Sequence, residues 1–302
     1  MTLRLGARGS ALSRAQAEQI RAALADRAEV EMVTVQTTGD RLSTSGQPIG
    51  WKGDFTRELD EALLAGRIDL AVHSLKDVPS ALPPGLVLAA VPRREDPSDV
   101  LVSRDRLTLA QLPRGAVVGT ASPRRRAQIL SARPDLSVAE ARGNVDTRIR
   151  RLQEGRWDAI VLARAGLARL GRLEEIVEVF SESVVLPAVG QGALAVVTRA
   201  EDVATRESLR SLDDRSSHQE VLAERGFLAG LEAGCRAPVA GRARVLDVQS
   251  LRLVGAVYAL DGSRTIRGSA EGSPDDAPFI GRELAERLLR QGAAELIGAP
   301  SR

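Results

Sequence analysis

The segment from Ile68 to Pro79 combines a buried-strand pattern with three side chains that could take part in chemistry. The apolar run Ile68–Val72 predicts a strand, and Lys76 and Asp77 follow it just before a proline. Open α/β sheets bind ligands at the carboxyl ends of their strands, so this position favours a functional ion pair over an ordinary solvated loop. We expect His73, in the same segment, to be a satisfied hydrogen-bonding residue and not a catalyst.

The chain has a single cysteine, Cys235, in a turn that runs from Leu231 to Pro238. A single thiol cannot form an internal disulfide, and its reactivity depends on exposure and on the fraction present as thiolate. Two interpretations stay open from the residues alone. Cys235 is either a small buried apolar residue or a reactive thiol placed in a loop beside Arg236.

Arginines and hydroxyl side chains recur where predicted strands turn into helices. Such turns present free backbone N–H groups and the positive end of a helix dipole, which together bind anions. At the Arg8 turn, an anion site and an ordinary strand-to-helix turn both stay open. The arginines that follow Pro123 are unfavourable at a helix N-terminus unless an anion joins them, which predicts a polyanionic ligand there. The residues concerned are Arg8 and Ser10, then Thr120, Ser122, Arg124 and Arg125, and finally Arg142 and Arg148.

The predicted ligand carries several carboxylates. Neither a Walker-type phosphate loop nor a GxGxxG motif occurs, whereas separate guanidinium groups can each bind a carboxylate through two hydrogen bonds. Among these cations Asp77 is the one acidic group, and it is placed to stabilise a cationic intermediate or to transfer a proton.

The elements that position these residues predict an α/β fold with two doubly wound domains and a small C-terminal α+β domain. The predicted domains are residues 1–93 with 193–212, residues 98–187, and residues 215–302. Charged or Pro/Gly-rich connectors at Arg93–Asp99 and Leu186–Ala193 predict two crossings between the first two domains, which would form a hinge. In the third domain we expect a helix capped at Ser217, three alternating strands and one final helix, Pro278–Ile297.

Composition excludes several functional classes. No apolar window is long enough to span a membrane, and the N-terminus lacks a signal-peptide pattern, which predicts a cytoplasmic protein. Aromatic residues make up 2% of the chain, too few for a nucleic-acid binder that stacks bases, although the pI is about 9.1. His, Cys and carboxylates show no metal-ligand spacing, so no metal is expected. Only two of the 42 basic residues, Lys52 and Lys76, are lysine.

Five motifs in order along the chain resemble the hydroxymethylbilane synthase (porphobilinogen deaminase) family. They cover essentially the full length, and they are Val72-His73-Ser74-Leu75-Lys76-Asp77-Val78-Pro79, Gly119-Thr120-Ala121-Ser122-Pro123-Arg124-Arg125, Arg142-Gly143-Asn144-Val145, Leu186-Pro187-Ala188-Val189-Gly190-Gln191-Gly192 and Gly234-Cys235-Arg236-Ala237-Pro238. The resemblance implies two domains similar to periplasmic binding proteins and a third domain that carries the cysteine.

The resemblance also implies the activity: four porphobilinogen molecules are joined head to tail with loss of ammonia, through an azafulvene-like cation, to give a linear tetrapyrrole. Cys235 would hold a dipyrromethane cofactor through a thioether, and Asp77 would be the catalytic carboxylate. Lys76, Thr120, Ser122, Arg124 and Arg125 would bind the cofactor, and Arg8, Ser10, Arg142 and Arg148 the acetate and propionate groups of the substrate. A monomer without nucleic-acid or membrane partners is expected.

Two departures from the family pattern and two alternatives remain. Where the family usually has Gly-Gly-Lys-Gly-Leu-Phe, this chain has Gly50-Trp51-Lys52-Gly53-Asp54-Phe55. These residues lie at the end of a segment that is predicted to be either a lid or disordered. The second departure is Pro123, at a position where the family often has leucine. The main alternative is a non-catalytic, two-lobed carboxylate-binding module. A thiol enzyme that uses Cys235 as nucleophile is less favoured, because no histidine base is nearby in the sequence.

Overall fold

The computed structural model of the chain describes residues 2–37, 56–233 and 237–297. Its strands, in chain order, are β1 (Thr2–Arg8), β2 (Glu29–Val35), β3 (Leu70–Ser74), β4 (Leu86–Ala90), β5 (Asp99–Ser103), β6 (Val117–Gly119), β7 (Ser137–Ala139), β8 (Ala159–Ala163), β9 (Glu178–Val179), β10 (Leu194–Arg199), β11 (Val239–Val245), β12 (Leu251–Tyr258) and β13 (Thr265–Gly272). Its α-helices are α1 (Ala11–Leu24), α2 (Arg57–Leu64), α3 (Pro123–Ala132), α4 (Val145–Gln153), α5 (Arg164–Arg169), α6 (Val203–Leu209), α7 (Arg215–Gly230), α8 (Ala277–Arg290) and α9 (Ala293–Ile297).

The chain divides into two compact units. The first comprises residues 1–95 and 192–218, and the second comprises residues 96–191 and 219–302. Within the first unit the sheet has the order β2-β1-β3-β10-β4, in which β1 lies parallel to both β2 and β3, and β10 runs antiparallel to β3. The carboxyl ends of β1 and β3 therefore lie at the same edge of this sheet.

The sheet of the second unit has the order β7-β6-β8-β5-β9, which repeats the plan of the first. Strand β6 lies parallel to β7 and β8, and β5 runs antiparallel to β8. Alternate residues of β5 enter different cores: Leu101 packs with Val118 and Val161, whereas Val100 packs with Ile160. Because both faces of this sheet are covered, the interior of β5, Val100–Val102, and the whole of β8 are continuous apolar runs, as expected for a doubly wound sheet.

A separate antiparallel sheet, β11-β12-β13, forms the small C-terminal α+β part of the second unit. Its core packs Phe227 of α7 and Leu284 of α8 against strand residues such as Leu253. The predicted fold class, two α/β sheets with an additional α+β portion, is confirmed. No helix within the described ranges is both long and apolar enough to cross a membrane.

Two predicted elements of this C-terminal part were wrong in detail. Helix α7 begins at Arg215, and the Asp214 carboxylate accepts the Ser217 N–H at 2.8 Å, so Asp214 caps the helix where Ser217 was expected to do so. The predicted final helix is divided into α8 and α9 at Gly292, which has a φ of +94°. Glycine adopts this left-handed conformation readily, and it ends the first helix.

Candidate active site

In the first unit the carboxyl edge of β1 and β3 holds the predicted residues Arg8 and Ser10. Arg8 ends β1, and its backbone N–H donates to Ser13 Oγ at 3.0 Å. Ser10 is the N-cap of α1 and its hydroxyl accepts the Ser13 N–H at 3.3 Å. Gln16 of the same helix donates from Nε2 to Ser74 Oγ at 2.7 Å, which links α1 to the end of β3. The turn after β1 is thus fixed by side-chain hydrogen bonds on both sides.

Lys76 and Asp77 follow β3 in a short 3-10 turn, Leu75–Asp77. Leu75 is buried, and its N–H donates to Ala193 O at 3.0 Å, which holds the turn against the neighbouring strand. Lys76 and Asp77 are partly exposed at the strand's carboxyl end. Among the residues that the structure describes, the Asp77 carboxylate has neither a hydrogen-bond nor an ion-pair partner. A carboxylate in this position is free to contact a ligand.

His73, on β3, is buried and lies near Arg8. Burial and the positive charge of Arg8 lower the pKa of His73 to about 4, so the imidazole is neutral at physiological pH. Its Nε2 has no hydrogen-bond partner among the described parts of the chain. The expectation of a fully satisfied histidine therefore fails at this nitrogen, since a neutral imidazole can still use each ring nitrogen in a hydrogen bond.

In the second unit, the turn from β6 into α3 holds Thr120 and Ser122. Thr120 Oγ1 accepts the Ser122 N–H at 3.1 Å, and Ser122 Oγ caps α3 by accepting the Arg125 N–H at 3.4 Å. Pro123 occupies the first helical turn, where its missing N–H costs nothing. Proline is thus compatible with this helix start.

Arg124 and Arg125 extend from the first turn of α3 to one buried carboxylate, Asp99, at the start of β5. Arg124 Nη1 donates to Asp99 Oδ2 at 2.6 Å and to Leu186 O at 2.7 Å. Arg125 donates from Nε to Asp99 Oδ1 at 2.8 Å and from Nη1 to Val161 O at 2.8 Å. These contacts explain locally how two cations are tolerated at a helix N-terminus.

The Asp99 cluster, made of Asp99, Arg124 and Arg125, carries one surplus positive charge. Burial by itself would raise the pKa of Asp99, but the charges of Arg124 and Arg125 outweigh burial and lower it to about 2. The carboxylate is therefore ionised, and the two guanidinium groups are only half neutralised. A buried surplus charge is costly unless an anion joins it, so the cluster is suited to bind a carboxylate.

The turn from β7 into α4 holds Arg142 and Arg148. Asn144 caps α4 by accepting the Thr147 N–H at 2.9 Å. Arg148 Nε donates to Gly143 O at 2.8 Å, whereas Arg142 pairs with the exposed Glu140 at 2.6 Å. The carboxyl ends of the parallel strands β6 and β7 therefore carry Thr120, Ser122, Arg124, Arg125, Arg142 and Arg148 at one edge of the sheet.

Cys235 and Lys52 lie outside the described residues, as do Trp51 and Asp54. The structure describes the chain up to Ala233, which is buried, and from Ala237 onwards. Within the described ranges no group of three metal-ligating side chains could hold an ion.

Asp99 and Gln191 were missed by the sequence analysis. Gln191 is buried and donates from Nε2 to Pro97 O at 2.6 Å and to Asp99 Oδ1 at 3.1 Å, so it also orients the carboxylate. The available signal was the position of Asp99, a charged residue directly before the apolar run Val100–Val102. His218, in the first turn of α7, is partly exposed and pairs through Nδ1 with Asp213 Oδ1 at 2.7 Å.

Two family models match the chain. "Porphobilinogen deaminase, dipyromethane cofactor binding domain" matches residues 3–207, and "Porphobilinogen deaminase, C-terminal domain" matches residues 218–290. A porphobilinogen deaminase of Rubrobacter xylanophilus is 51% identical over 296 residues, which is 97% of this chain and 96% of the relative. One of Nocardia farcinica is 48% identical over 304 residues, 98% of this chain and 88% of the relative.

A solved structure, the alkanesulfonate-binding protein of Xanthomonas axonopodis, is 17% identical, with a TM-score of 0.37 over 75% of this chain and 73% of that one. A score at this level supports no further statement about function.

Proposed function

We propose residue roles on one premise: the chain belongs to the porphobilinogen deaminase family. It is a transferase that joins four porphobilinogen molecules head to tail, releases ammonia and forms hydroxymethylbilane for tetrapyrrole and haem biosynthesis. Its cofactor is dipyrromethane. The roles of single residues, the covalent attachment of the cofactor and the domain boundaries are our proposals.

The donor set suits the cofactor. Dipyrromethane carries carboxylate side chains, and the Asp99 cluster offers two buried guanidinium groups for one internal carboxylate. The capped N-termini of α3 and α4 add backbone N–H groups at the same edge of the sheet. When bound, the cofactor supplies the free pyrrole carbon to which the first substrate is joined. We assign its binding to Lys76, Thr120, Ser122, Arg124 and Arg125, and its thioether anchor to Cys235.

Asp77 is proposed as the catalytic carboxylate. The observation that supports this role is the Asp77 carboxylate at the end of β3, which has no partner among the residues that the structure describes. It lies two residues beyond Leu75, whose N–H donates to Ala193 O beside the neighbouring strand. Loss of ammonia from porphobilinogen leaves a positive charge on the pyrrole unit, and a fixed carboxylate stabilises that charge as it develops. The same group can hold the proton that leaves the attacking pyrrole carbon.

Arg8, Ser10, Arg142 and Arg148 are proposed to bind the acetate and propionate groups of the substrate. Each lies at a strand-to-helix turn, where a guanidinium or a hydroxyl adds to the backbone donors. We further propose three domains, residues 1–93 with 193–212, 98–187 and 215–302. The protein is proposed to act as a cytoplasmic monomer, without nucleic-acid or membrane partners.

The test of Asp77 is the Asp77→Asn variant, with Asp26→Asn as a matched control on an exposed residue. We expect Asp77→Asn to lower kcat for porphobilinogen consumption and ammonia release by a factor of roughly 100 or more, with an unchanged Tm. The control should retain the wild-type kcat. An Asp77→Asn enzyme with near-normal turnover would remove this residue from the mechanism.

The anchor is tested by intact mass. Protein made in cells that supply porphobilinogen should exceed its sequence mass by one dipyrromethane, and Cys235→Ser should show the bare mass. Because Cys235 is the single thiol, alkylation should label the wild-type apo-protein once and the wild-type protein that carries the cofactor not at all. An unmodified mass in active wild-type protein would overturn the anchor assignment, and a loaded protein that releases no ammonia would favour the non-catalytic binding module.

A further inference from the structure

Gln128, one helical turn after Arg124 on α3, holds a backbone segment that Arg124 also contacts. The Gln128 carboxamide accepts the Leu186 N–H at 2.7 Å and donates from Nε2 to Leu186 O at 3.1 Å. Arg124 Nη1 donates to the same Leu186 O at 2.7 Å. The position of this carbonyl, one of two acceptors that orient the Arg124 guanidinium, is therefore fixed by Gln128.

Tyr258, at the end of β12, fixes Gln128 in turn. Its hydroxyl donates to Gln128 Oε1 at 2.9 Å, and the Tyr258 side chain is only 5% exposed. Burial raises the pKa of Tyr258 to about 12, so the hydroxyl keeps its proton and remains a donor. Gln128 Oε1 thus accepts two hydrogen bonds, one from Leu186 N–H and one from Tyr258. These two donors fix the orientation of the carboxamide and direct Nε2 to Leu186 O.

The same part of the three-stranded sheet packs directly on the α3 backbone. Gly262, in the turn between β12 and β13, lies so close to the α3 backbone that an added Cβ would be 2.6 Å from Ala127 O. Ala127, Leu186 and Tyr258 also share one buried apolar cluster with residues of β11 and β12. Strands β11 and β12 and the turn after β12 therefore support α3 through a side-chain hydrogen bond, a backbone approach and an apolar core.

We infer that Tyr258 and Gln128 are positioning residues for Arg124, so that the C-terminal sheet sets the geometry of the carboxylate-binding cluster on α3. This inference rests on the proposed role of Arg124 in binding the cofactor. Neither residue is assigned a contact with the cofactor. Both act on the guanidinium through Leu186 O, which together with Asp99 directs it, and Gln128 Nε2 also donates to the Arg124 backbone carbonyl at 3.3 Å.

The experiment follows cofactor assembly on the full-length apo-protein. Apo-protein is mixed with porphobilinogen at increasing concentrations, and intact mass gives the rate at which dipyrromethane is gained. Tyr258→Phe should raise the porphobilinogen concentration for half-maximal loading by roughly fivefold, with a smaller change in the maximal rate, because it removes one buried hydrogen bond that orients Arg124. The control Ile280→Val loosens the core of the C-terminal sheet without contacting α3. It should lower Tm while leaving loading unchanged.

A double-mutant cycle tests whether Tyr258 acts on Arg124 through Gln128. In a Gln128→Met background, Tyr258→Phe should have little further effect on loading, because the residue through which it acts is already gone. Equal loading effects of Tyr258→Phe and Ile280→Val, or additive effects of Tyr258→Phe and Gln128→Met, would overturn the inference. Arg124→Lys separates it from its premise: if this variant loads normally, the proposed role of Arg124 itself is wrong.

Discussion

Replacing Asp99 with asparagine should destabilise the protein strongly, because Asp99 is the only anion in the Asp99 cluster. Its carboxylate is fully buried and accepts from Arg124 Nη1 at 2.6 Å, Arg125 Nε at 2.8 Å and Gln191 Nε2 at 3.1 Å. Asparagine keeps the shape but has no charge, and its amide NH2 would face guanidinium donors. Breaking a buried ion pair from one side costs about 3–5 kcal/mol, which lowers Tm by roughly 5–15 °C.

The pH dependence of the Asp99→Asn effect follows from the lowered pKa. The folded-state pKa of Asp99 is about 2, below its ordinary value of 3.8, so its ionised form stabilises the fold above the unfolded pKa. That contribution is lost as pH falls through the folded value. The difference in unfolding free energy between wild type and Asp99→Asn should therefore be constant from pH 5 to pH 8 and shrink below about pH 4.

Urea unfolding at several pH values measures both effects. Asp105→Asn, at a residue whose side chain is 64% exposed, is the control and should change stability by less than about 0.5 kcal/mol. A loss below about 1 kcal/mol for Asp99→Asn at pH 7 would refute the charge argument, as would a difference between the two proteins that grows on acidification.

Two other perturbations follow from close packing and from the buried histidine. Gly262→Ala should lower the free energy of unfolding in urea by about 2–4 kcal/mol, because the Gly262 φ is +77° and the new Cβ would meet Ala127 O. The control Gly171→Ala, with φ +67° and open space around it, should lower it by only about 1 kcal/mol. Equal losses for the two variants would exclude the close approach of Gly262 to α3. His73 has its pKa lowered to about 4 by burial and by Arg8, so the unfolded chain binds a proton that the folded protein does not as pH falls below 6.5. Wild type should lose about 2 kcal/mol from this source between pH 7 and pH 5, and His73→Asn should lack that loss; identical pH profiles would contradict it.

Much of the fold follows from local patterns. The apolar run Ile68–Val72 predicts a strand, and β3 is found at Leu70–Ser74. The three alternating strands expected in the C-terminal part are present as β11, β12 and β13. The predictions were wrong where a single residue determines the start or the end of a helix. Asp214 outcompetes Ser217 as the cap of α7, and Gly292 adopts a positive φ inside a pattern that otherwise continues as a helix.

The candidate site was predictable in its residue types but not in its internal balance of charge. Arg124 and Arg125 at the start of α3 indicated an anion, and the sequence analysis assigned that anion to a ligand. The structure provides Asp99 first, 25 residues earlier in the chain than Arg124. No local pattern relates the two, because their contact depends on β5 lying beside β8 in the sheet. We therefore keep the proposal that a ligand carboxylate joins the Asp99 cluster. One negative charge against two positive charges lets the cluster form in advance and leaves one positive charge for that carboxylate to balance.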